Sequence, residues 1–194
     1  MSGKQKFNIM KKMFLAIAAM MLSASMNAQN EVGQFSIAPT VGINISSVTD
    51  WNDTKAKAGL AVGAVAEYGV AEKVGISAGV MFSMQGCGFK DEDEKVKLNY
   101  LNIPILANYY VYKGLAIKAG VQPGILLSAK DGDRDIKDNM KGFDFAIPVG
   151  ASYEYQNFVL DARYNIGLTK GNKEGSRSNK NSVFQITLGY KFKL

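Results

Sequence analysis

The sequence predicts an all-β chain, an eight-stranded antiparallel up-and-down transmembrane β-barrel. Three observations predict it: stretches of strict period-two alternation, links between them that alternate long and short, and glycines confined to one strand face. Side chains on a strand point to opposite faces in turn. In the last stretch Phe184, Ile186, Leu188, Tyr190, Phe192 and Leu194 share one parity, and Gln185, Thr187, Gly189, Lys191 and Lys193 the other. A soluble sandwich would bury the apolar face, whereas a membrane barrel turns it to lipid and fills its lumen with the polar one. The rest of the chain decides between them.

Residues 1–28 read as a cleaved signal peptide and 29–194 as one barrel domain. Lys11 and Lys12 precede the apolar run Met13–Leu22, and small residues lead to a cut after Ala28. That run is ten residues long, about half of what spans a bilayer as a helix. The formal net charge of +6 loses four lysines with the leader, leaving 19 basic residues against 17 acidic ones. A nucleic-acid partner is therefore not expected. Cys87 is the only cysteine, set between Gly86 and Gly88. It predicts a free loop thiol, with no intrachain disulfide and no thiolate metal site.

Eight alternating stretches fall at roughly 35–46, 58–70, 74–86, 96–111, 115–128, 142–155, 157–168 and 183–194. Long links cover 47–57, 87–95, 129–141 and 169–182; the short ones lie at 71–73, 112–114 and Gln156. Long outer loops alternating with tight turns are what an up-and-down membrane barrel requires. Gly42, Gly59, Gly63, Gly69, Gly75, Gly79, Gly120, Gly124, Gly150, Gly167 and Gly189 all take the polar parity. Glycine weakens a strand, so its use on one face points to a narrow interior with room for few large side chains. Met81, Gln85, Tyr100, Gln122 and Arg163 are expected to fill the space that remains.

Glu67, Lys118, Glu154, Asp161, Arg163 and Lys191 share the inward face, in the half nearer the short turns. Three acids and three bases at one depth predict a structural network of ion pairs, because buried charges must be paired. Phe35, Tyr68, Tyr109, Tyr153, Tyr155, Phe158, Tyr190 and Phe192 face outward at the same end, the place of an interfacial aromatic girdle. Phe82, Phe143 and Phe184 make a thinner counterpart at the other. Pro39, Pro104, Pro123 and Pro148 fall inside strands. Each predicts a bulge or irregularity with a slip of phase, since proline cannot donate to a ladder.

The segments Tyr100–Tyr109 and Gly120–Lys130 and the terminal alternation from Phe184 to Phe192 resemble the outer-membrane β-barrel domain family common in Bacteroidota, often labelled PorT-like. The resemblance covers 29–194, and the architecture is similar to the small OmpX and OmpA barrels. It implies a fold and a location, the outer membrane of a Gram-negative bacterium, rather than an activity or a part in secretion. Outer-membrane lipid and lipopolysaccharide are the surroundings it implies. It also implies that the barrel-assembly machinery reads the last strand through the outward Tyr190 and Phe192.

The chain has no histidine, which removes Ser-His and Asp-His hydrolytic centres. The membrane-barrel acyl-editing enzymes, phospholipase and omptin-type protease all depend on one. Asp131, Asp133 and Asp135 have the spacing of a calcium loop, but Gly142 stands where the bidentate glutamate belongs. With Lys130, Arg134 and Lys137 among them, they read as a solvated loop. No metal and no cofactor is expected. The expected function is non-enzymatic: surface binding through the outer loops, or a structural part of the membrane. The alternatives are a soluble lipocalin-like carrier, a narrow channel or a secretion-associated component.

Overall fold

A computed structural model describes residues 31–48, 54–89, 95–132, 134–170 and 180–194. The leader expected at 1–28, the acidic run Asp91–Glu94, Asp133, Lys173 and Arg177 lie outside the described residues. The strands are β1 (Phe35–Val48), β2 (Thr54–Ala71), β3 (Val74–Phe89), β4 (Lys95–Asn102), β5 (Ile105–Tyr112), β6 (Leu115–Asp131), β7 (Arg134–Asp135), β8 (Phe143–Tyr155), β9 (Phe158–Lys170), β10 (Lys180–Tyr190) and β11 (Phe192–Lys193). They form one antiparallel sheet in the order β10-β9-β8-β6-β4-β3-β2-β1, and pairing of β1 with β10 closes it. Between the same neighbours β5 continues β4, and β11 continues β10 along β1. The ring therefore has eight staves, and β7 is a short addition to the outer end of β6. Closure pairs every stave on both sides, the condition for strands to stand in lipid.

Two-residue turns at 72–73, 113–114 and 156–157 join the staves at one end. Gln156 (φ 54) and Gly114 (φ 71) take the left-handed backbone that such hairpins demand. At the opposite end the staves run further than the alternation predicts: β2 begins at Thr54, β3 reaches Phe89 and β6 reaches Asp131. Strands of 16 to 18 residues exceed the roughly 9–11 that cross a bilayer, so these three stand clear of it.

The two faces differ as a membrane barrel requires. Val41, Ile76, Val80, Ile117 and Leu188 are exposed on the outside, while Asn44, Ser77, Ser83 and Asn108 are buried within. A soluble carrier needs the reverse. Phe35, Tyr68, Tyr109, Tyr155, Phe158, Tyr190 and Phe192 are exposed at the short-turn end; Tyr153 is half-buried. Tyr190 lies edge-on to Phe158, with ring centroids 5.2 Å apart, and 4.8 Å from Phe192, so the girdle is densest at the closing seam.

The prolines interrupt hydrogen bonding without shifting phase, contrary to the expected slip. Pro104 parts β4 from β5, yet Met81 pairs with Asn102 and Ala78 with Ile105 in one register. The Pro104 carbonyl still accepts the Gly79 N–H at 2.9 Å. Pro39 has no N–H to give the last stave, and the ladder there breaks between β10 and β11 and resumes in register. Bulges lie elsewhere: at Leu127, where Asn99 pairs with Ser128 but Tyr100 with Leu126, and in β2 between Ala56 and Ala61. The first turns Leu126 and Ala129 both inward, which simple alternation over 115–128 does not allow.

The glycines owe their face to two causes, of which the expected crowding in the lumen is one. A Cβ on Gly42, Gly63 or Gly120 would strike the carbonyl oxygen of Ile186, Val80 or Ile105 on the adjacent strand. Neighbouring backbone excludes a side chain there, while at Gly124 and Gly189 a Cβ would strike the lumen side chains of Asn102 and Thr40.

Candidate functional site

Cross-strand partners in an antiparallel ladder share a face, so register alone stacks the inward groups into layers. Ser36 pairs with Glu67 and Glu67 with Ser77. Asn108 pairs with Lys118 and Lys118 with Gly150. Thr187 pairs with Asp161 and Gln185 with Arg163. Glu67, Lys118, Glu154, Asp161, Arg163 and Lys191 are all buried, and the structure gathers them into two clusters. In the first, Asp161 sits between Lys118 Nζ at 2.9 Å and Arg163 Nε at 2.7 Å. In the second, Lys191 Nζ lies 2.5 Å from Glu154 Oε2 and 3.5 Å from Glu67 Oε1.

Each cluster is charged and the pair is neutral. Two bases about one acid leave one positive charge; two acids about one base leave one negative charge. A cavity of about 30 Å³ lies between them, with Glu67, Lys191, Lys118, Asp161 and Arg163 in its wall. Sequence reasoning left out two members. Tyr110 donates its hydroxyl to Glu67 Oε1, and Asn108 Nδ2 donates to Glu67 Oε2 at 2.8 Å. Both follow from the even parity that runs from Tyr100 through Pro104; the expectation of a slip hid them.

Above this layer amides and hydroxyls predominate, with Lys57 Nζ donating to Gln85 O at 3.0 Å and to Val96 O at 3.1 Å. Asn44 Nδ2 reaches Ser83 Oγ at 2.9 Å, Gln85 Nε2 reaches the same oxygen at 2.9 Å, and Asn181 Nδ2 donates to Gln85 Oε1. This chain of amides crosses the barrel from β1 and β10 to β3. Met81, Gln85, Tyr100, Gln122 and Arg163 are each 5% exposed or less and occupy the interior.

The outer end of the β3–β4–β6 wall is different again. Cys87, Val96, Leu98, Tyr100, Leu126 and Ala129 form a buried apolar cluster, and Ile136 and Met140 pack against it. Cys87 is thus a core residue of β3 and not the loop thiol expected from its glycine neighbours. Residues 129–141 are likewise not a free loop, since β6 runs through the first three and the rest folds back. On β4 the pattern inverts: Val96 and Leu98 are buried and Lys97 is exposed. Apolar-in and polar-out is the arrangement of a strand in water, so this corner projects beyond the lipid. Asp135 Oδ1 accepts the Lys137 N–H at 2.9 Å and shapes the return.

The chain belongs to the outer membrane protein beta-barrel domain family, whose model matches residues 27–171. Its fold is similar to that of Ail, the attachment invasion locus protein of Yersinia pestis, solved in complex with the heparin analogue sucrose octasulfate. That match has 16% identity, covers 84% of this chain and 100% of Ail, and has a TM-score of 0.55. It is also similar to Neisserial surface protein A, at 15% identity over 81% of this chain and 97% of that one, with a TM-score of 0.51. No curated protein matches the chain. The protein is a small outer-membrane β-barrel.

Proposed function

We propose that this barrel is non-enzymatic and acts through its outer loops in surface binding, above a lumen closed to solutes. The observation that carries the reading is the layer of three acids and three bases, paired across the lower lumen at 2.5 to 3.5 Å. Paired charges leave neither a free nucleophile nor a lone fixed charge to draw an ion through, and an eight-stranded interior is filled by side chains. The basic run Lys170, Lys173, Arg177 and Lys180 in the last outer link suits a polyanion such as lipopolysaccharide phosphate, with the sulfated ligand of Ail as a precedent in a similar fold. During biogenesis the assembly machinery would read Tyr190 and Phe192, which stand exposed on the closing seam.

Planar bilayers and surface binding test this together. The purified protein should give no steady single-channel conductance. Exchange of 171–179 for a short Gly/Ser link should abolish binding to lipopolysaccharide while the barrel still folds. Reproducible conductance steps would favour the channel. Unchanged binding together with no conductance would leave a structural membrane component.

A further inference from the structure

The six charges of the lower lumen sum to zero, but they are not spread evenly about the cavity between them. Its wall holds three cations, Lys118, Arg163 and Lys191, against two acids, Asp161 and Glu67. Glu154, which balances the sum, is bound to Lys191 but is not part of that wall. The acids are also the more fully engaged. Glu67 takes the Tyr110 hydroxyl on one oxygen and Asn108 Nδ2 on the other, and Asp161 has Lys118 on one and Arg163 on the other. The cations have donors to spare. An ammonium carries three N–H bonds and a guanidinium five, whereas Lys118 gives one to Asp161 at 2.9 Å and Arg163 meets Asp161 through Nε. Thr187 adds a hydroxyl to the same wall, free to turn and donate. All three are enclosed, with Lys118 at 6% and Arg163 and Thr187 at 3% exposure.

A buried donor without an acceptor destabilises a fold, and a buried positive excess needs a counter-charge. Together these requirements select the occupant. A cation would meet three like charges. Water accepts the spare N–H bonds but leaves the excess in place. A small anion meets both needs. The cavity, about 30 Å³, exceeds the roughly 10–15 Å³ that one water takes and has room for one monatomic ion. The charge of Glu154 stands outside the wall, and Coulomb energy falls with distance, so the nearer cations set the field that an ion meets. We infer that the lower lumen holds a single chloride-like anion between Lys118, Arg163 and Thr187. Such an ion is resident rather than conducted. The inference goes beyond the loop-binding reading and does not depend on it.

Bromide replaces chloride and scatters anomalously. Crystals of the full barrel grown in bromide should show one anomalous peak inside the cavity, beside Lys118 Nζ and the Arg163 guanidinium. Absence of a peak there overturns the inference, wherever else bromide binds. Stability gives a second reading. At constant ionic strength, exchange of sodium gluconate, too large for the cavity, for sodium chloride should raise the urea midpoint of the barrel in lipid vesicles. The rise should saturate, because the ligand binds the folded state alone. Thr187→Val removes one donor and keeps the ion pairs, so its rise should need several-fold more chloride. Lys118→Gln should show none. A midpoint that ignores chloride, or follows it equally in all three proteins, would also overturn the inference. Should Lys118→Gln fail to fold, Thr187→Val and the bromide peak decide.

Discussion

In the half of the lumen nearest the short turns, each buried charge faces an opposite one within 3.5 Å. In the outer half most buried groups are amides and hydroxyls, several without a hydrogen-bond partner in the protein, and Lys57 donates to the Gln85 and Val96 carbonyls, beside an apolar corner held down by Ile136 and Met140. The difference follows from what each kind of group tolerates. A charge in a low-dielectric interior must be paired or it destabilises the fold by several kcal/mol. An amide costs less to leave imperfectly bonded, and water can complete it. The lower half is therefore the more narrowly specified region, and the outer half accepts change.

The largest effect should come from the seam that both halves share. Truncation before Tyr190 removes the Leu194 N–H bond to Phe35 O at 2.9 Å and the Asn157 Nδ2 bond to Lys191 O at 2.8 Å. It also removes the pairing of β11 with β1, two members of the aromatic cluster and the only base of the acidic cluster. Glu67 and Glu154 would then face one another unpaired. The truncated chain should fail to assemble, remaining in the periplasm as a degraded or chaperone-bound species. Its normal appearance in outer-membrane fractions would show that neither closure nor the charged layer depends on this segment.

Second comes the charged layer alone. Asp161→Ala leaves Lys118 and Arg163 buried beside each other without a counter-ion, which should cost about 3–5 kcal/mol. The measurement is urea unfolding in lipid vesicles, followed by the shift of folded barrel on an unheated gel. A change below about 1 kcal/mol, the range of exposed pairs, would mean that the layer is hydrated. The contrast between the halves would then collapse and conduction would become the better reading.

How much of this was legible in the sequence depends on whether a pattern had one cause. The eight staves, their short turns and the six inward charges follow from parity, which the backbone imposes on each strand without exception until a bulge intervenes. The Leu127 bulge carries no such signal, because Leu126, Leu127, Ser128 and Ala129 are acceptable to either face. Cys87 was misplaced for a related reason: flanking glycines mark a loop as readily as a strand, and its partner Val96 lies across a link whose length the alternation does not give. Tyr110 was legible as well, since the outward Tyr109 turns it inward by parity, and only the slip expected at Pro104 kept it out of the network. The inverted stretch Val96–Leu98 was the one clue to the outer corner, and it reads correctly only once the edge of the membrane is known.

The smallest effect, and the sharpest test of the difference between the halves, lies in that corner. Met140 is half-buried over Cys87 and its neighbours, so Met140→Ala should cost about 1–2 kcal/mol, below the roughly 2–5 kcal/mol of a fully buried methionine. Global unfolding is not its best readout. Because β7 and the return segment add only to the outer end of β6, loosening them need not open the eight-stave ring. The corner should open locally while the lower lumen stays closed, as low-stability units do. Cys87, 1% exposed, should react slowly with a water-soluble maleimide in the folded wild type. In Met140→Ala its rate should rise by about tenfold, the factor that 1.4 kcal/mol of easier opening gives, at urea concentrations where the ring stays folded. Equal rates in the two proteins would show that the cap does not guard the thiol. A rate that rises only in step with global unfolding would show that the outer corner and the charged layer melt as one unit.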